Sequence, residues 1–141
     1  MIQAKKMLRE IRIIRIGIKA LEEKREIIKA RATKATRNLN GMPSAANTSD
    51  FSSDVVELVE LDDLIKDKIA EASRRECEAI EAISCMEHEK YKTLLTLYYI
   101  AGDEPCTWEQ VAKEMRYSVS VLWHEHGRAL LEFQKVLDSK T

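Results

Sequence analysis

Between residues 1 and 36, Ala4, Met7, Ile11, Ile14, Ile18, Leu21, Ile28, Ala32 and Ala35 recur in alternating steps of three and four, with Arg25 filling the one charged place. A helix carries such positions along one seam, whereas a strand would divide them between two faces. The spacing predicts one continuous helix about 50 Å long at ~1.5 Å per residue. Its heptad seam is suited to packing against another helix. Ile13, Ile16 and Ile27 lie beside the seam, so the stripe is wider than a two-stranded coil requires and implies more than one partner helix. Gly17 costs the helix about 1 kcal/mol, which burial of the isoleucines outweighs.

The rest of the sequence is consistent with an all-α chain. Four Gly and two Pro in 141 residues are too few for a sandwich or barrel, which turns about every 8–12 residues. A charged fraction of 33% with 6% aromatics suits helices with long solvated faces. No apolar run approaches the ~20 residues that span a bilayer. The N-terminal cations are scattered among isoleucines, unlike the separate zones of a signal peptide. Cys77, Cys85 and Cys106 are odd in number and include no CxxC pair, so no disulfide framework is expected.

Charge is unevenly placed. Residues 1–37 hold twelve Lys or Arg against four Asp or Glu, residues 38–92 six against thirteen, and residues 93–141 five against seven. The basic segment can grip phosphates, with Lys5, Arg12 and Arg15 as its exposed cations. Alternatively, it can pair along its flanks with the acidic segment as a complementary helix.

Residues 38–53, NLNGMPSAANTSDFSS, are rich in Gly, Pro, Ser, Asn, Thr and Asp and are read as a flexible loop. A second helix is expected from Ser53 or Asp54, with Leu58, Leu61, Ile65, Ile69, Ala72, Ala79, Ile80, Ile83 and Met86 as its stripe. Glu76 interrupts that stripe and would face Arg25 in an antiparallel hairpin. Residues 1–86 thus read as a long, coiled-coil-like helical hairpin. Such a hairpin buries a narrow core, so dimerisation or docking onto the C-terminal residues is expected.

Residues 87–141 form the second expected domain. Ser84 to Glu87 fits a capping box, and a helix with Tyr91, Leu94, Leu95, Tyr98 and Ala101 on one face ends at Gly102. Thr107 to Gln110 is a second capping box, opening a short helix with Val111, Ala112 and Met115 inward. After a break at Arg116-Tyr117-Ser118, Ser118 caps a last helix whose buried stripe is Leu122, His126, Ala129, Leu130, Phe133, Val136 and Leu137. A short helix, a tight turn and a second helix with small Ala112 at the crossing have helix-turn-helix spacing.

The run TWEQVAKEMRYSVSVLWHEHGRAL (residues 107–130) resembles the region-four helix-turn-helix of bacterial sigma factors, without a gap over its length. The whole chain is similar to phage-encoded sigma-like regulators of the ArpU and RinA type. It is also similar to an uncharacterised phage family with a long N-terminal helical hairpin, through ATKATRNLNGMP (residues 32–43) and YKTLLTLYYIAGDEPCTWEQVAKEMRYS (residues 91–118). The resemblance implies a sequence-specific regulator of phage or prophage genes in the bacterial cytoplasm. Its implied partners are double-stranded DNA and host RNA polymerase, and it would dimerise through the N-terminal hairpin.

On that pattern Ser120 and His124 stand where base edges are read, Lys113, Arg116 and Arg128 where phosphates are held, and Ser118 completes the expected DNA-binding set. The chain departs from the family in carrying only one cation, Arg128, on the reading face. It also has Arg116 where relatives have Gly, which demands a left-handed residue or an altered turn. Glu125 falls at a usually apolar position. Trp123 is expected to pack partly against the stripe; with Leu131 it is also the candidate protein-partner contact. Trp108 and Tyr117 are expected in the core, and His126 as a packed histidine.

His124 and His126 point apart, and Cys85 with His88 has no second pair, so neither a metal nor a cofactor is expected. No nucleophile–base pair or phosphate loop occurs, so no catalysis is expected. Two other functions fit the same elements. One is a protein-interaction module binding RNA polymerase or another regulator without reading DNA. The other is a small-terminase-like packaging protein.

Overall fold

The computed structural model describes residues 2–41 and 45–140. Among them every regular element is helical: α1 (Ile2–Gly41), α2 (Ala45–Ser84), α3 (Glu89–Leu95) running into a π turn (Thr96–Ile100), α4 (Trp108–Met115) and α5 (Val119–Ser139). No described helix is long and apolar enough to cross a membrane. The chain forms two compact units, Met1–Ile16 with Glu71–Thr141, and Gly17–Ala70.

The loop expected over residues 38–53 is largely helix. α1 continues to Gly41 and α2 starts at Ala45, well before Ser53; residues 42–44 lie outside the described residues. Ser, Asn, Thr and Asp each cost a helix only up to ~0.7 kcal/mol relative to Ala. A polar run therefore does not by itself end a helix.

In the unit Gly17–Ala70, Ile28, Ala32 and Ile65 are buried between α1 and α2. Asp54 is buried as well and is held by Arg31, with Nη2–Oδ1 2.8 Å and Nε–Oδ1 3.0 Å. Arg25, the charged place in the seam, meets Asp62 at 3.0 Å. It does not meet Glu76 as expected; Glu76 lies 3.7 Å from Arg15 in the other unit.

The larger core belongs to the other unit. Ala4, Leu8 and Ile11 of α1 pack with Ala79, Ala82, Ile83 and Met86 of α2, and with Leu94, Leu95, Val111, Leu122 and Phe133 of the C-terminal helices. Leu8 lies off the three-four seam yet is fully buried, because α1 here touches several elements at once and needs a wider stripe. Ile69 and Ile80, expected in the α2 stripe, are exposed. Ile80 sits about 100° around the helix from Ala79, and the face holding Ala79, Ala82 and Ile83 is the one that packs.

The expected capping box at Ser84 does not form. The Ser84 hydroxyl donates back to the Glu81 carbonyl, 2.6 Å, and α2 ends there. Glu132, reaching across from α5, takes the capping role instead. Its Oε1 accepts from the backbone N–H groups of Glu87 and His88, and its Oε2 lies 2.8 Å from His88 Nδ1. Burial works against the charged carboxylate, but those hydrogen bonds prevail and hold Glu132 below its ordinary pKa. Two residues on, Gln134 Oε1 accepts from Ala4 N at 2.9 Å near the start of α1. α5 thus supplies acceptors to orphan amides of two other helices.

Candidate nucleic-acid interface

Local chemistry fixes the α4–α5 pair. Thr107 Oγ1 accepts from Gln110 N (3.2 Å) and Gln110 Oε1 accepts from Thr107 N (2.8 Å), completing the expected capping box. Val111 and Ala112 are buried beneath α5. α4 ends at Arg116, whose φ of 60° and ψ of 41° are left-handed. Among the described residues it is the only non-glycine with positive φ. The departure from Gly noted in the sequence is thus met by strain at Arg116 and not by a different turn, at a cost of about 1–2 kcal/mol. The Tyr117 N–H then donates to the Ala112 carbonyl at 3.0 Å. Ser118 Oγ accepts from Val121 N at 3.2 Å and starts α5.

With Leu122, Ala129, Leu130 and Phe133 buried, helical register turns Ser120, His124 and Arg128 outward on one face, and all three are exposed. Lys113, Arg116 and Ser118 are exposed at the α4 end of the turn. Ser118 spends its hydroxyl oxygen on the helix cap, so its role is structural first. Arg128 lies 3.9 Å from Glu125. Glu125 is largely buried and forms an ion pair with Lys90 of α3 at 3.2 Å, although its Oε2 makes no hydrogen bond among the described residues.

Two aromatic expectations are corrected. Trp123 is 62% exposed, not packed against the stripe, and Tyr117 is 41% exposed, not core. Trp123 stands on the outer side of α5, while Tyr117 follows the left-handed Arg116 and is carried outward by the turn. Leu131 is exposed on the same helix.

Trp108 does pack, against a cluster that the sequence did not reveal. Its ring stacks on Tyr98 at 3.9 Å, and the Arg12 guanidinium lies over Tyr98 at 4.0 Å. Arg12 also donates to the Tyr98 carbonyl, 2.8 Å. His126 meets Trp108 edge-on at 4.8 Å and lies 2.8 Å from the Tyr99 hydroxyl. Arg15, expected to be exposed, is 7% exposed. Its guanidinium donates to the carbonyls of Tyr99, Ala101 and Gly102 at 2.8, 3.0 and 2.6 Å. These carbonyls lie at the end of the π turn, where a helix leaves acceptors unsatisfied. The Tyr98-Tyr99 pair and Gly102, at φ 81°, were the only local signals of this arrangement.

The site therefore offers hydroxyl and imidazole groups able to pair with base edges, and a few cations able to meet phosphate. Among the described residues no group of three His, Cys, Asp or Glu is placed to share a metal ion. No curated protein and no solved structure gives a significant match to the chain. A family model described as "Protein of unknown function (DUF1492)" matches residues 46–134, more than half of the chain, and the chain belongs to that family.

Proposed function

We propose that this protein is a sequence-specific DNA-binding transcription regulator of phage or prophage genes, with α4 and α5 acting as a sigma-region-four-like helix-turn-helix. The observation that carries the reading is the outward face of α5. Ser120, His124 and Arg128 are exposed together on a helix whose opposite side is locked in the core. In this reading α5 enters the major groove, where Ser120 and His124 contact base edges. Lys113, Arg116 and Arg128 hold the phosphate backbone, and the N-terminal helices serve as the dimerising arm. With so few cations, nonspecific attraction to DNA is weak, and discrimination depends on the base contacts.

The decisive experiment selects bound fragments from the source genome and footprints the recovered site. Ser120→Ala with His124→Ala should abolish discrimination between that site and scrambled DNA. An unchanged footprint would reject this reading face.

One observation favours a second reading, a protein-interaction module. Trp123 and Leu131 are large exposed side chains on the helix that carries Arg128 as its reading-face cation, and such aromatics often anchor protein interfaces. Nuclease-resistant retention of RNA polymerase, with no DNA recovered, would select this alternative.

A further inference from the structure

Beside α5 lies an open groove of about 530 Å³, walled by the start of α1 and the aromatic cluster. Lys5, Arg9 and Arg12 follow one another at steps of four and three along α1, so they form a single cationic row on its wall. Among the described lining residues none is a carboxylate. Exposed Ile13, Ile16 and Trp123 add an apolar margin. The inner rings are already engaged, Tyr98 between Trp108 and the Arg12 guanidinium. Among the described lining residues, a nucleic-acid base entering the groove would find only Trp123 free to stack on. Aliphatic side chains flanked by carboxylates fit the lining better, since they cover the isoleucines and oppose the cations.

Such a surface exists on this chain. Along α2, Val56 and Val59 are exposed, and Glu60, Asp63 and Asp67 share their side of the helix. Among the described residues none of these three carboxylates has an ion-pair partner.

We propose that the groove of one copy receives the Val56–Asp67 face of α2 from a second copy of this chain. Three carboxylates then oppose three cations, while the valines lie against Ile13, Ile16 and Trp123. Each copy carries both halves of the contact, so self-association needs no other component. This goes beyond a dimerising arm by naming the two surfaces that meet, and it does not depend on DNA binding.

The test is sedimentation of the full chain from about 1 to 200 μM. The wild type should self-associate, with Kd rising about tenfold between roughly 0.1 and 0.5 M salt. Lys5→Glu with Arg9→Glu should raise Kd at least about tenfold, as should Glu60→Lys with Asp63→Lys. Mixing the two double variants, or joining all four changes in one chain, should restore Kd to within about threefold of wild type, because the charges are then exchanged and still opposed. All four positions are exposed, and helical circular dichroism verifies that each variant folds.

A wild type that stays monomeric, double variants that associate unchanged, or a failed rescue in the mixture overturns the proposal. Shielding of Trp123 fluorescence by a single-stranded oligonucleotide, in a chain that stays monomeric, would also overturn it and assign the groove to nucleic acid.

Discussion

The Tyr99 hydroxyl and His126 Nε2, 27 residues apart in sequence, lie 2.8 Å from one another and tie the π turn to the middle of α5. Burial, with a further contribution from nearby Lys5, lowers the His126 pKa from 6.5 to about 4. Burial also pushes the Tyr99 hydroxyl well above its ordinary pKa, reinforced by Tyr98. Both groups are therefore neutral near pH 7, and the hydroxyl can donate to the unprotonated imidazole nitrogen.

Stability should consequently depend on pH in a defined window. Between pH 6.5 and about 4 the unfolded chain protonates His126 and the folded chain does not, so acidification favours unfolding. The contribution is complete above pH 6.5 and is lost as pH falls to about 4. It amounts to about 2–3 kcal/mol once solvent screening of this half-buried ring is allowed for. Urea midpoints measured across that range should fall for wild type. The part due to His126 should vanish in His126→Phe, and an unchanged slope in that variant would contradict the assignment.

Arg15 makes a different kind of prediction. Arg15→Ala leaves the Tyr99, Ala101 and Gly102 carbonyls without their donor and Glu76 without its partner. Loss of a nearly buried guanidinium that satisfies three acceptors should cost about 3–5 kcal/mol in urea unfolding. Arg15→Lys keeps the charge but not the planar fork, and should recover only part of that loss.

At Arg116 stability and binding should move in opposite directions. Arg116→Gly removes the left-handed strain at φ 60° and should stabilise the protein by about 0.5–1 kcal/mol, raising Tm by a few degrees. The same change deletes a proposed phosphate contact. It should weaken binding to specific and scrambled DNA about equally and flatten the dependence of log K on log salt by about one unit. Calorimetry and a salt titration check the two halves separately.

How much of this was legible depended on whether the signal was local. The Thr107–Gln110 capping box, the Ser118 cap, the turn at Gly102 and the buried stripe from Leu122 to Phe133 are written within a few consecutive residues, and all could be read in advance. Arg15 and Ile80 depart from their expected exposure, and Leu8 is buried off the seam, because burial there is set by helices distant in sequence, which periodicity along one helix does not report. The polar composition of residues 38–53 suggests a loop, but helix propensity is only weakly sensitive to such composition. At the candidate site the outward face of α5 followed from its stripe, but the Tyr98–Trp108–Arg12 stack did not, since it joins three elements.

Glu132 shows the same nonlocal logic and gives a direct test of it. The expected cap at Ser84 was a local motif, whereas the cap that forms comes from α5, 44 residues away from His88. Glu132→Gln retains one acceptor oxygen but removes the negative charge at the start of α3, where the helix dipole favours an anion. The expected loss is about 1–2 kcal/mol near pH 7. Because the folded carboxylate has a lowered pKa, wild type keeps its full advantage above the ordinary carboxylate range and loses it as pH falls through and below that range. The stability difference between wild type and Glu132→Gln should therefore shrink on acidification below about pH 4.5. Parallel urea titrations at pH 7 and pH 3 would show this, and an equal difference at both values would mean that the charge of Glu132 contributes nothing to the cap.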